Sequence, residues 1–197
     1  MMNSKAPLLY KISRIVLGPI FKWYYNPTIV NKEYIPKEGS IVIAGNHKHL
    51  FDQCLTIIAT KRPIHYMAKK EYFDNKKVAW FFKGTGCISV DRKNKDPKAK
   101  EAALDVLNDG GAIGIFPEGT RNRTEALLLP FKFGAVSLAL KTDSYIVPFA
   151  ITGDYKFRSK NLKITYGKPF KITDMTIEEA NDKLYKIVEK LLKQNSK

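Results

Sequence analysis

The chain has 197 residues, of which 44% are hydrophobic, so it is long enough for one domain with its own core and too apolar for a disordered chain. It carries 34 Lys and Arg against 19 Asp and Glu, and the net charge of +15 favours an anionic partner: nucleic acid, an anionic membrane surface or a phosphorylated substrate. The cysteines, Cys54 and Cys87, form no CxxC pair, which fits a reducing compartment, and no run of about 18 apolar residues predicts a membrane-spanning helix.

Residues 1–32 contain no acidic side chain and have the apolar spacing of a helix. Gly18-Pro19 should kink or split this helix, because proline lacks a backbone donor. Two interpretations stay open: a helix lying in a membrane interface, and an amphipathic helix packed on the protein's own core. The first would make residues 1–32 a membrane-docking segment ahead of a domain at 33–197. The apolar positions recur at spacings of three and four: Leu8, Leu9, Ile12, Ile15, Val16, Ile20 and Trp23.

Beyond this segment, short apolar runs alternate with helical patterns. The predicted strands cover residues 40–44, 64–68, 87–90, 112–116, 145–151 and 161–166. The predicted helices begin near Asp52, Val78, Asp96, Gly134 and Thr176. This alternation predicts an α/β fold with a mostly parallel central sheet flanked by helices.

The first candidate site follows the strand at 40–44, where His47 stands five positions before Asp52. An aspartate that accepts a hydrogen bond from one imidazole nitrogen fixes the tautomer, and the other nitrogen can then take a proton from an alcohol. His47 is therefore predicted to be a general base oriented by Asp52, at a strand end where α/β sheets commonly carry reactive groups. Taken alone, the spacing also fits a loop histidine and a helix-capping aspartate.

The second candidate site follows the strand at 112–116 and reads Phe-Pro-Glu-Gly-Thr-Arg at 116–121. Gly119 would let the backbone approach a ligand, and Thr120 offers a hydroxyl. Arg121 offers a planar guanidinium that matches phosphate oxygens, and Glu118 is placed to hold it. As spacing alone, the stretch also fits a β-turn with a surface arginine.

Taken together, four motifs in this order resemble the glycerolipid acyltransferases, and most closely the 1-acyl-glycerol-3-phosphate acyltransferases. The resemblance covers roughly residues 35–155. It departs at His49 and Asn122, where the family often has serine. The motifs are Asn-His-x4-Asp at 46–52, Ala68-Lys69-x-Glu71 with Gly-x-Ile-x-Val-Asp-Arg at 86–92, Phe-Pro-Glu-Gly-Thr-Arg at 116–121, and Ile-Val-Pro-Phe at 146–149.

The resemblance implies acyl transfer from acyl-CoA or an acyl carrier protein to the sn-2 hydroxyl of lysophosphatidic acid, giving phosphatidic acid without an acyl-enzyme. It implies catalysis by His47 and Asp52. It also implies no metal and no cofactor besides the acyl donor, and peripheral attachment to an anionic membrane surface on the cytoplasmic face of the cell membrane. The residues that it implies for acceptor binding are Arg121, Arg92 and Lys69 on the phosphate, with Glu118, Gly119 and Thr120 shaping the pocket.

Two other functions stay open at this point. The acceptor could be glycerol-3-phosphate or another lysolipid. A basic nucleic-acid-binding domain would explain the charge but not the motifs, and the chain lacks a recognisable RNA- or DNA-binding signature, so no nucleic-acid partner is expected. The oxyanion formed in acyl transfer needs hydrogen-bond donors, and backbone amides near Gly119 are candidates.

Overall fold

The computed structural model describes residues 6–91, 94 and 96–195, so Arg92 lies outside the described residues. The strands are β1 (Thr28–Val30), β2 (Ile41–Gly45), β3 (Ile64–Lys69), β4 (Ile88–Val90), β5 (Ala112–Ile115), β6 (Tyr145–Thr152) and β7 (Lys163–Tyr166). The helices are α1 (Leu8–Tyr25), α2 (Asp52–Ala59), α3 (Lys70–Asp74), α4 (Lys76–Gly84), α5 (Pro97–Asn108), α6 (Gly134–Lys141) and α7 (Ile177–Asn195), and a 3₁₀ turn spans Lys32–Tyr34.

The strands form one seven-stranded sheet in the order β1-β7-β6-β2-β5-β3-β4. All paired neighbours are parallel except β6 and β7, which are antiparallel. The predicted α/β fold with a mostly parallel sheet is therefore confirmed. The sequence did not predict β1, because its three residues are too few to show a period-2 pattern.

The sheet carries a hydrophobic core on each face. Strand β2 contributes side chains to both cores, because successive side chains along a strand point to opposite faces of the sheet. Val42 and Ala44 pack with α5, α6 and α7, whereas Ile41 and Ile43 pack on the side of α2 and the inner face of α1. All four side chains are fully buried, as expected of a central strand in a parallel sheet.

Helix α1 runs without a break from Leu8 to Tyr25, so the predicted split at Gly18-Pro19 is wrong. Pro19 and the Ile15 residue one turn before it are both exposed. Water can therefore satisfy the carbonyl that loses its helical donor. Gly18 packs beside α2, where a Cβ atom would lie 3.7 Å from the side chain of Ile58, an ordinary contact distance.

Helix α1 has an inner face packed on the domain and an outer face that is exposed. The inner face packs on the domain through Tyr10, whose buried hydroxyl bonds to the backbone of Arg62 and Ile64. Residues 1–32 also supply β1 to the sheet, so in the structure this segment is continuous with the domain that follows. No helix among the described residues is long and apolar enough to cross a membrane. The outer face leaves large apolar side chains exposed: Leu8, Ile12, Ile15, Val16, Ile20 and Trp23.

The candidate residues meet at the carboxyl edge of the central strands. Strand β2 lies between β5 and β6, so the loops that leave these three strands are neighbours. Gly45, the last residue of β2, is required there because a Cβ atom would lie 2.2 Å from the carbonyl oxygen of Phe149 in β6. The next residue, Asn46, is buried and locks the two strand ends together through two bonds with the backbone of Ile151.

Candidate active site

The structure brings His47 and Asp52 together across one turn of loop. Nδ1 of His47 lies 2.8 Å from Oδ2 of Asp52. Asp52 is the first residue of α2 and is fully buried, whereas the side chain of His47 keeps 15% of its surface exposed. The buried carboxylate of Asp52 therefore holds the imidazole at Nδ1, while part of the ring stays exposed.

Four donors satisfy the buried carboxylate of Asp52. Oδ2 accepts from His47 Nδ1 and from the backbone amides of Lys48 and His49, both at 2.7 Å. Oδ1 accepts from the hydroxyl of Tyr155, also at 2.7 Å. A buried carboxylate needs hydrogen bonds of this kind, and here both of its oxygens have them.

His47 is also held through its ring face and its backbone. The imidazole stacks on Phe116, with centroids 4.0 Å apart and ring planes 12° from parallel. The His47 amide donates to Oε1 of Glu118 at 2.6 Å, and the His47 carbonyl accepts from the amide of Asn122 at 2.7 Å. Among the described residues no group bonds Nε2 of His47, so this nitrogen can take a proton from a substrate hydroxyl.

Glu118 does not hold Arg121, contrary to the sequence-based interpretation. Its side chain is buried, with one oxygen on the amide of His47 and the other 2.9 Å from the amide of Leu129. Burial raises the pKa of Glu118, while these two hydrogen bonds oppose the rise. Glu118 therefore joins the Phe-Pro-Glu-Gly-Thr-Arg motif to the Asn-His-x4-Asp motif. Its carboxylate faces two backbone amides rather than a guanidinium.

Gly119 has φ +71°, a left-handed conformation that L side chains rarely adopt. A Cβ atom there would also come within 3.0 Å of the Lys132 side chain. Its amide closes a turn by donating to the carbonyl of Phe116 at 2.9 Å. The Gly119 amide is therefore already engaged, and the other backbone amides near it remain the predicted oxyanion donors.

A cavity of about 340 Å³ opens beside His47 and has a basic lining. It brings together Lys69, Thr120 and Arg121, three residues singled out from the sequence, and adds Arg123, which was not. Arg123 could have been found from the sequence, since it stands two residues after Arg121 in the same basic loop. Cations clustered next to the free nitrogen of a histidine suit a substrate that carries both a phosphate and a hydroxyl.

A second cavity, of about 300 Å³, adjoins the basic one and is lined mostly by apolar side chains. It lies between α1, α2 and α4, with Leu17 and Phe21, Ile57 and Phe81 among its walls. Gln53, Tyr66, Phe82 and Cys87 line both cavities, so the apolar space continues towards His47. Such a space beside a basic site suits an amphiphile.

Tyr155 is a second site residue that sequence reasoning missed, besides Arg123. It comes from the loop after β6, 103 residues from its partner Asp52 in the chain, and no periodic pattern marks it. Burial raises the pKa of Tyr155 far above its ordinary value, and the charge of Asp52 and the hydrogen bond to it add to the rise. The hydroxyl therefore stays protonated and acts as the hydrogen-bond donor to Asp52.

Among the described residues no group of three or more His, Cys, Asp or Glu side chains could hold a metal ion.

Comparisons with known proteins place this site in a family. The family model described as acyltransferase matches residues 26–152. The 1-acyl-sn-glycerol-3-phosphate acyltransferase of Bacillus subtilis is 31% identical over 188 residues, which cover 93% of each chain. The enzyme of the same name from Borreliella burgdorferi is 33% identical over 71% of this chain and 56% of its own length.

The fold has a solved counterpart. The crystal structure of the 1-acyl-sn-glycerophosphate (LPA) acyltransferase PlsC from Thermotoga maritima matches with a TM-score of 0.77 and 23% identity, covering 95% of this chain and 79% of that one. At that identity the likeness shows the fold. The family match extends from the end of α1 to the end of β6 and includes both candidate motifs, so the chain belongs to the acyltransferase family.

Proposed function

We propose that this protein transfers an acyl chain from a thioester, either acyl-CoA or an acyl carrier protein, to the sn-2 hydroxyl of lysophosphatidic acid, giving phosphatidic acid. The observation that carries the proposal is the His47–Asp52 pair beside a basic cavity that shares part of its lining with an apolar one. The relatives that bear this activity in their names support the choice of substrate.

In the proposed reaction, Nε2 of His47 removes the proton of the acceptor hydroxyl as its oxygen attacks the thioester carbonyl carbon. Asp52 keeps Nδ1 protonated and stabilises the imidazolium that forms. The tetrahedral intermediate then collapses, breaking the carbon–sulfur bond, and the thiolate takes up the proton held on Nε2. The acceptor oxygen is itself the nucleophile, so no acyl-enzyme forms.

The two cavities would hold the two ends of a lipid. Arg121, Arg123 and Lys69 would bind the acceptor phosphate in the basic cavity. The apolar cavity would bury an acyl chain, at about 0.8 kcal/mol for each methylene removed from water. This division explains why the basic cavity beside His47 shares part of its lining with an apolar one.

We propose peripheral attachment to an anionic membrane on the cytoplasmic side, and the exposed apolar face of α1 supports the attachment. At about 100° per residue, Leu8, Ile12, Ile15 and Trp23 form one stripe of the helix, and Lys11 and Lys22 lie along its edge. Leu17 of α1 is exposed and also lines the apolar cavity. A lipid could therefore pass from the bilayer into the cavity along this helix.

The test is acyl transfer from an acyl thioester to lysophosphatidic acid in mixed micelles, with wild type beside His47→Ala. Phosphatidic acid formed by wild type and reduced by about 10²–10⁴-fold in the variant is the expected result, the usual contribution of a general base. Equal product from both would refute the role of His47. Product from neither, with acylation of glycerol-3-phosphate or another lysolipid in a parallel panel, would reassign the acceptor.

A further inference from the structure

Asp52 is held on both of its oxygens, and the two oxygens have different partners. Oδ2 receives His47 Nδ1 and two backbone amides, so it already has three donors. Oδ1 receives the Tyr155 hydroxyl. The Tyr155 hydroxyl therefore restrains the carboxylate at its second oxygen, which limits partial rotation and tilting of the group and helps to keep Oδ2 aimed at His47.

Tyr155 is itself fixed by rings on two sides. His49 stacks on it, with centroids 4.1 Å apart and planes at 19°. Tyr25, the last residue of α1, meets it edge to face at 5.6 Å. The loop that carries Tyr155 is attached to the same end of α1, since the amide of Arg158 donates to the carbonyl of Tyr24 at 2.6 Å.

Tyr155 is not among the described residues that line the basic cavity, so it reaches the reaction only through another group. We propose that Tyr155 is a positioning residue for the reaction: its hydroxyl fixes Oδ1 of Asp52 and thereby keeps His47 oriented for proton abstraction. This role of Tyr155 rests on the proposed function, because its test measures the acyl-transfer reaction.

The matched pair of variants is Tyr155→Phe and Tyr166→Phe. Both remove one hydroxyl from a tyrosine ring, which is half-buried at Tyr155 and fully buried at Tyr166. Among the described residues the Tyr166 hydroxyl has no hydrogen-bond partner, so its loss leaves Asp52 untouched. Wild type must first make phosphatidic acid, and its failure to do so would count against the proposed function rather than against the role of Tyr155.

In Tyr155→Phe we expect kcat to fall about tenfold, the effect of losing one hydrogen bond to a charged group. KM for both substrates should stay within about twofold of wild type, since Tyr155 lines neither the basic nor the apolar cavity. With one donor fewer, Asp52 attracts the imidazolium more strongly, so the acidic limb of the kcat/KM–pH profile should move to higher pH. Tyr166→Phe should match wild type in all three respects.

The other titratable groups around Asp52 are unchanged in sequence in both variants, and His49 keeps an aromatic ring to stack on in Tyr155→Phe. These groups are His49, Glu118, Cys54 and Tyr66. Unchanged kcat in Tyr155→Phe would overturn the proposal. So would a loss of kcat with the pH limb unmoved and a lower melting temperature, which is the signature of a merely structural role.

A double-mutant cycle gives a second readout. If Tyr155 acts through Asp52, then Tyr155→Phe in an Asp52→Asn background should lower kcat by less than about twofold, because the group that it positions has already lost its charge. A further tenfold loss in that background would show that Tyr155 acts independently of Asp52 and would overturn the proposal.

Discussion

The backbone amide of His47 donates to the buried carboxylate of Glu118 at 2.6 Å, which joins two motifs that lie 71 residues apart in the chain. Asn122 completes the connection by donating its amide to the carbonyl of His47. The loop after β5 therefore holds the peptide of His47 on both sides. This contact gives Glu118 a structural task in the active site that does not require it to touch substrate.

Glu118→Gln should lower kcat and stability together. A glutamine has one acceptor oxygen for the two amides of His47 and Leu129, and its own NH2 would face the other donor. An unsatisfied buried donor costs about 1–3 kcal/mol, and each kcal/mol lowers the melting temperature by about 2–4 °C in a chain of this size. Thermal unfolding and steady-state kinetics measure the two effects, and Glu125→Gln, at an exposed position of the same loop, is the control. An increase in KM for lysophosphatidic acid with normal kcat would instead make Glu118 a substrate-binding residue.

Arg121→Ala and Arg123→Ala should each reduce kcat/KM for lysophosphatidic acid by about 10–100-fold, the range for a hydrogen bond to a charged group. With monoacylglycerol, which lacks the phosphate, the same variants should equal wild type, because the lost partner is absent. Lys160→Ala removes an exposed cation elsewhere and serves as the control. A penalty of equal size on both acceptors would mean that these arginines support the loop and do not bind the phosphate.

Most of the fold could be predicted because its signals are local. The pair Thr176 and Glu179 predicted the start of α7, and the structure shows both reciprocal bonds of the capping box, from the Thr176 amide to Glu179 and from the Glu179 amide to Thr176 Oγ1. Asp96 before Pro97 predicted the start of α5 in the same way, and its side chain caps Ala99. Such contacts lie within one helical turn and leave their pattern in the sequence.

The parts that sequence reasoning missed depend on distant contacts. Tyr155 reaches Asp52 from a loop across the sheet edge, and its neighbours in the chain give no indication of that. Glu118 was expected to pair with Arg121 because the two are close in sequence, but the turn at Gly119 directs its carboxylate to His47. Spacing identified the residues of the site, and the long-range contacts decided their partners.

Asp96→Ala should destabilise the protein by about 0.5–2 kcal/mol near neutral pH, the usual effect of losing an N-cap. Hydrogen bonds from the amides of Asp91 and Ala99 lower the pKa of Asp96, since they favour its charged form. A carboxylate with a lowered pKa stabilises the fold above its unfolded-state pKa of about 3.9, and the contribution disappears as the pH falls through the folded-state value. The difference between wild type and variant in denaturant titrations should therefore shrink in acid. A difference that stays constant from neutral to acidic pH would argue against the charged cap, and Glu101→Ala, exposed on the same helix, should show no such trend.

The outer face of α1 gives the most direct test of membrane attachment. Ile15 and Ile20 are 69% and 55% exposed, so replacing both with serine should leave the melting temperature nearly unchanged. Sedimentation with anionic vesicles should weaken by about tenfold or more, because each isoleucine loses part of the roughly 1.5–3 kcal/mol gained on full burial of its side chain.

Deleting the whole segment would be a poorer test of membrane attachment, since Tyr10 on the inner face is buried in the domain and Leu17 and Phe21 line the apolar cavity. Leu140→Ser, an exposed apolar position on α6 at the other face of the sheet, is the matched control and should bind as wild type does. If the double variant sediments as well as wild type, then α1 does not dock on the bilayer, and its exposed stripe must serve another contact.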